Sequence, residues 1–296
     1  NKKLILDFGD KIEPDNFFID IGGGGLNGAY NFSRLGFLSQ AIVKIGDDFI
    51  GRIIKAKIRK RGIKAKVIQS RGQSTLSFIL LYPPERIIFT SRGETGFKPN
   101  EIPQAKNSYY FIFSGNTSNP TWLTVIKKLK RNNNFIGINP SQKFLAHKLA
   151  SKILNLTDFV NLNQQEAEIL LAKNFKKTTD LCRALRNLLT KVKFISLTFG
   201  ERGSALIIKQ NLYLAPSLKT KIVDTTGAGD SYATTLFAYL IDADLDEEKI
   251  KEAIKKAILN THFNLKNIGA QTGLLTKEEL DNLARKTNLK ILNFSL

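Results

Sequence analysis

The chain has 296 residues, of which 42% are hydrophobic and 24% charged, as expected of one soluble globular α/β domain. Its only cysteine, Cys182, excludes an intramolecular disulfide and fits a reducing, cytoplasmic compartment; no apolar run approaches the roughly 18 residues of a membrane span, and the first residues do not read as a signal peptide. The net charge of +19 raises the alternative of a basic nucleic-acid-binding module. Its basic residues are dispersed, however, over Lys55–Arg61, Lys127–Arg131, Lys176–Lys177 and Lys255–Lys256, on the polar faces of amphipathic helices. No zinc finger, helix-turn-helix or RNA-binding aromatic motif accompanies them, so neither nucleic acid nor membrane is the expected partner. His147 and His262 stand at no metal-ligand spacing, and Cys182 lies at a core position of an amphipathic helix.

In chain order, Lys3–Phe8 reads as a first strand, followed by three acids, Asp10, Glu13 and Asp15. Ile19–Ile21 reads as a second strand, feeding the run Gly22–Gly25 that opens a helix through Asn27 and ends at the C-cap Gly36. The run allows a flat approach to a ligand, and Asn27 offers both a donor and an acceptor to hydroxyl groups. The same stretch satisfies a dinucleotide fingerprint, Gly23-x-Gly25-x-x-Gly28, and Asp48 follows at about the 20-residue spacing of a ribose-binding acid. An NAD-dependent oxidoreductase is therefore a second reading. A strand over Gln40–Ile45 leads to a helix whose first turn is acidic (Asp47, Asp48). Thr75–Tyr82 and Arg86–Arg92 alternate about the turn Pro83-Pro84-Glu85 as a hairpin with no helix of its own.

From Tyr109 onward, short apolar strands alternate with helices. Strands at Tyr109–Phe113, Phe135–Ile138 and Asp158–Asn161 precede helices over Thr121–Arg131, from Phe144 and from Gln164. This order predicts right-handed crossovers and a mostly parallel sheet, hence a three-layer α/β/α fold. Asn163 and Glu166 have the spacing of a capping box, and Lys193–Ile208 is a buried strand, a glycine turn and a second strand.

A strand-like Lys221–Asp224 then runs into Asp224-Thr225-Thr226-Gly227-Ala228-Gly229-Asp230 and an apolar helix to Leu240. Consecutive amides at such a helix start, reinforced by the helix dipole, form an anion site. Asp230 sets a carboxylate in the first turn beside it, suited to taking a proton from an attacking hydroxyl. An acid-first helix from Asp246, with Ile250, Ile254, Ile258 and Leu265 on one face, and a loop over Lys266–Gly273 follow.

The Asp224–Asp230 string resembles the C-terminal signature of the ribokinase (PfkB-type) carbohydrate kinases, and the glycine run with Asn27 resembles their first signature. The resemblance implies one ribokinase-like domain over 1–296, with a small β lid contributed by about 10–20 and 75–98 that in some members also makes a homodimer contact. It implies transfer of the γ-phosphoryl of ATP to a hydroxymethyl group of a sugar or nucleoside, with Asp230 as base and Gly227, Ala228 and Gly229 as anion hole. Gly23, Gly24, Gly25 and Asn27 would hold the acceptor. Asn163, Glu166, Thr198, Gly200, Gly203, Thr226 and Asn260 would lie along the nucleotide, with Glu166 positioning Mg²⁺ through water. Asp224, Thr226 and Gly269 would serve a monovalent cation such as K⁺. The resemblance assigns no substrate acid among Asp10, Glu13 and Asp15, and Gly137 stands where many members carry Asp.

Overall fold

The structure is a computed structural model that describes residue 5, residues 7–83 and residues 85–296. Its elements begin with α1 (Gly24–Arg34), β1 (Ala41–Gly46), α2 (Phe49–Lys60) and β2 (Ala65–Ser70). The strands β1 and β2 pair in parallel as a small sheet of their own. Next come β3 (Leu76–Tyr82) and β4 (Glu85–Ser91), an antiparallel hairpin that also stands apart. Its apolar residues Leu76, Phe78, Ile88 and Phe89 are all exposed.

The main sheet follows. Its strands are β5 (Tyr109–Phe113), β6 (Phe135–Asn139), β7 (Phe159–Asn163), β8 (Phe194–Thr198), β9 (Ser204–Ile208), β10 (Asn211–Ala215) and β11 (Leu292–Ser295). They lie side by side in sequence order. The strands β5 to β8 are parallel, and β8 to β11 continue antiparallel. Helices α3 (Asn119–Arg131), α4 (Gln142–Leu145), α5 (Ala150–Leu154), α6 (Gln164–Leu171) and α7 (Thr178–Leu188) connect the parallel strands. Helices α8 (Ala228–Leu240), α9 (Glu247–Asn264) and α10 (Lys277–Lys286) fill the span between β10 and β11.

Two cores explain the three layers. Val125, Ile126, Leu129, Ile153, Leu181 and Leu185 pack on one face of the sheet with Cys182, whose thiol burial pushes up to about 12. On the other face Phe237 of α8 inserts among Phe111 (5.1 Å between centroids), Phe159 (5.6 Å), Phe135 (5.7 Å) and Phe32 (6.0 Å). Gly137 makes room for it, since a Cβ there would come within 2.7 Å of the Phe237 ring. The middle strands are buried on both faces, which is why they read as continuous apolar runs. No helix among the described residues is long and apolar enough to cross a membrane.

Several expected elements differ. The strand Lys3–Phe8 lies partly outside the described residues, and Ile5, Asp7 and Phe8 are in no strand. Ile19–Ile21 is irregular, and residues 10–20 add no strand to the hairpin, which consists of β3 and β4 alone. Phe17, Phe18 and Ile19 are exposed, without the neighbouring strand that an apolar run needs. Lys221–Asp224 is not a strand either: the amides of Val223 and Asp224 both bond the carbonyl of Leu265, in a loop that offers no ladder. The helix expected from Phe144 is broken into α4 and α5.

Replacing Phe237 by Ala removes the ring on which four others converge and should cost about 3–5 kcal/mol of stability, read as a lower midpoint in urea denaturation.

Candidate active site

Helices α1 and α8 lie side by side and run the same way. Asn27 Nδ2 donates to Asp230 Oδ2 at 2.8 Å, and one turn on Asn31 Nδ2 donates to the hydroxyls of Thr234 (2.7 Å) and Thr235 (2.9 Å). Gly28 permits the approach, because a Cβ there would meet Thr234 Cγ2 at 3.2 Å and the Phe113 ring at 2.9 Å. Both helix N-termini, with their positive dipole ends, therefore open at one end of the molecule.

Neither end is closed by a side chain. Helices α2, α3, α4, α6, α9 and α10 carry side-chain caps from Asp48, Ser118, Ser141, Asn163, Asp246 and Thr276. At α1 and α8 the N-cap is a glycine with positive φ, Gly23 (85°) and Gly227 (80°), and no side-chain bond is made. The amides of Gly227, Gly229 and Asp230 make no backbone hydrogen bond among the described residues, and Gly229 faces open space. Gly227 is required twice over, by its left-handed backbone and because a Cβ would lie 2.5 Å from Ala270 Cβ.

Asp224 ties this turn to the loop after α9. Its buried carboxylate accepts from the amides of Thr226 (2.8 Å) and Gly269 (2.9 Å). Thr226 Oγ1 and Asn264 Oδ1 are buried nearby without a partner.

Asp230 and Glu166 face one another electrostatically. Burial raises the pKa of the Asp230 carboxyl, while the Asn27 bond and the Arg86 guanidinium of β4 act to lower it. Burial also raises Glu166, its bond from the Asn163 amide lowers it, and the Asp230 charge raises it further. Glu166 is at the same time half of a complete capping box, accepting from Asn163 N at 2.8 Å. The strand ends Asn163 and Thr198 are register partners, and the turn Gly200–Gly203 follows. Gly203 (φ 94°) is pressed against Ala215, whose carbonyl oxygen would lie 2.0 Å from a Cβ at that position, whereas Gly200 faces open space. These groups gather at the C-terminal ends of the parallel strands, where open α/β sheets bind ligands.

The expected acceptor glycines divide. Gly23 is open, Gly24 lies against the Phe113 ring (2.1 Å from a Cβ), and Gly25 approaches only the carbonyl of Ile42. Asn27 has both ends of its amide engaged, since its Oδ1 accepts from Gln271 Nε2 at 3.0 Å. Asn260, expected along the nucleotide, lies in the interior. It is fully buried and bonds Asn31, Thr235 and the amide of Leu275, so it braces α1, α8 and α9.

The oxidoreductase reading is not supported. No strand leads into the glycine run, and Asp48 is consumed by the amides of Gly51 and Ser74 and the Ser74 hydroxyl, bonds that lower its pKa. Arg61, Gln271 and Arg86 were not legible as site residues. Arg61 looked like one more solvated cation of α2, and neither of the others has a spacing signal.

Gly227→Ala should cost about 1–3 kcal/mol through its left-handed backbone. Gly229→Ala, inside a helix and facing open space, should leave stability unchanged or raised by about 0.5–1 kcal/mol. Urea denaturation of the two variants checks the contrast.

The comparisons agree with this architecture. The chain matches the pfkB family carbohydrate kinase domain over residues 2–277. It is 25% identical to a ribokinase of Lactococcus lactis, over 97% of this chain and 92% of that one. Its fold is similar to that of a ribokinase from Giardia lamblia, with a TM-score of 0.81 at 21% identity over 95% and 93% of the two chains. A fructokinase of Vibrio cholerae O395, solved with fructose, ADP and calcium, superposes with a TM-score of 0.73 at 18% identity, over 88% and 90%. By the extent of the domain match and this shared fold, the chain belongs to the pfkB family of carbohydrate kinases.

Proposed function

We propose that this enzyme transfers the γ-phosphoryl of ATP to a hydroxymethyl oxygen of a sugar or nucleoside, with Asp230 as the general base. The observation that carries the reading is the pair of uncapped, parallel helix N-termini with a carboxylate between them. The amides after Gly227 suit an oxyanion of the transferred group, whose charge they would stabilise without reorganising. Asp230 lies within that first turn and is held by Asn27, so its free oxygen is available to an incoming hydroxyl. As the hydroxyl attacks, its proton passes to that oxygen. Gly23 and Gly25 border the acceptor side, while Asn163, Thr198 and Gly200 border the nucleotide. The hairpin carrying Arg86 acts as a lid that excludes water, the competing acceptor, and its exposed apolar faces suit a second copy of the chain.

Magnesium takes oxygen ligands and keeps waters and phosphates in its shell, which suits a single carboxylate such as Glu166. When bound, it would neutralise charge on the phosphates. The buried, unpartnered oxygens of Thr226 and Asn264 beside Asp224 and Gly269 suit a monovalent cation such as K⁺.

ADP release against a panel of sugars and nucleosides tests the proposal directly. Asp230→Asn should lower kcat by at least roughly 10²-fold with nucleotide binding retained, and near-normal turnover in that variant would exclude Asp230 as base.

The pH dependence follows from the same carboxyl. Asp230 must be ionised to accept a proton, and burial raises its pKa, so the acid limb of kcat lies above the ordinary carboxylate range. Arg86 favours the ionised form. Arg86→Leu should therefore move that limb to higher pH, read from kcat–pH profiles of the two enzymes.

A further inference from the structure

A chain of hydrogen bonds runs from the surface to the carboxylate at the centre of the site. Asp20 Oδ2 accepts from Arg61 Nη2 at 2.6 Å, and Lys57 lies 3.8 Å from the other Asp20 oxygen. Arg61 Nη1 donates to Gln271 Oε1. Gln271 Nε2 donates to Asn27 Oδ1 at 3.0 Å, and Asn27 Nδ2 donates to Asp230 Oδ2 at 2.8 Å. Arg61 and Gln271 also border a cavity of about 420 Å³ shared with Arg34 and Glu279, so the outer end of the chain meets solvent. Its middle links, Gln271 and Asn27, are both buried.

Each link has a direction. Arginine can only donate, so Arg61 fixes the oxygen of the Gln271 amide toward itself and turns its nitrogen toward Asn27. That nitrogen fixes the oxygen of the Asn27 amide, and the Asn27 nitrogen is left to face Asp230. Reversing the Asn27 amide would set two acceptors against each other at Asp230 and two donors against each other at Gln271. Arg61 thus determines, through two amides, that Asp230 meets a donor.

We infer that Gln271, oriented by Arg61, is a positioning residue that locks the Asn27 amide with its donor toward Asp230 and so holds that carboxylate ionised and aimed. It touches neither reacting group and acts through Asn27. The inference rests on the assignment of Asp230 as base, but the geometry it concerns can be read without turnover. The other charged groups that face Asp230 are Glu166 at the start of α6 and Arg86 on β4, and both are left in place by the test.

The test is Gln271→Met, which is neutral and of similar volume, studied alone and in an Asn27→Leu background. In the single variant, ¹³C NMR should show the Asp230 carboxyl, assigned by its loss in Asp230→Asn, titrating at higher pH than in the parent. In the Asn27→Leu background the same substitution should leave that titration where it is. For turnover, kcat should fall roughly tenfold, short of the roughly 10²-fold cost of displacing a reacting group by an ångström. The KM for ATP should hold, and the acid limb should follow the NMR titration. Gln271→Glu keeps the acceptor for Arg61 but cannot donate to Asn27, so it should fold normally and still fail to restore kcat. An unshifted Asp230 titration in Gln271→Met, or an equal shift in both backgrounds, overturns the inference. Absence of kinase activity in the parent protein would instead overturn the proposed reaction, with the titration still reading the positioning.

Discussion

The side-by-side docking of α1 and α8 is the constraint on which the rest of the site depends. The helices come from opposite ends of the chain, and the bond from Asn27 to Asp230 spans 203 residues. The contact is close only because Gly28 carries no side chain where Thr234 and Phe113 approach. It is polar along its length, with Asn31, Thr234, Thr235 and Asn260 satisfying one another in the buried interior. A buried amide network of this kind is tolerated only when complete, and completeness specifies one register of the two helices. That register sets which residue of α8 faces Asn27.

The electrostatics follow from the docking. Two parallel helix dipoles leave positive potential at one rim, and both ends have glycine where six other helices have a capping side chain. The amides that would otherwise be satisfied within the protein are free for a ligand. A carboxylate set into that field would ordinarily be stabilised as an anion, but burial opposes this and dominates for Asp230. Asn27 and Arg86 pull in the other direction. The acidity of the carboxyl is thus set by opposing causes, burial on one side and the Asn27 bond and the Arg86 charge on the other.

Much of this was legible in the sequence, for definite reasons. The strands β7 and β8 are buried on both faces and read as apolar runs between amphipathic helices, so the α/β class followed. Gly227 and Asp230 were legible because a left-handed turn and a first-turn acid leave local signatures. The capping box at Asn163 and Glu166 is also local, and it formed as its spacing implied. What failed was non-local. Lys221–Asp224 has strand composition but meets only a loop, and Ile19–Ile21 has no neighbour to pair with. The bracing role of Asn260 was not legible, because nothing in its own helix reveals that Asn31 and Thr235 close over it. Gln271 and Arg61 are separated by 210 positions, and no periodicity records a contact made through tertiary packing alone.

The hairpin of β3 and β4 has a consequence beyond the cleft. It exposes Leu76, Phe78, Ile88 and Phe89 on a chain whose net charge is +19. Apolar contact draws such surfaces together, while like charge keeps whole molecules apart in dilute buffer. The second effect is screened over about 10 Å at 0.1 M salt, and the first is not. Raising ionic strength therefore weakens the repulsion between two copies of the chain while leaving the apolar attraction of their hairpins intact.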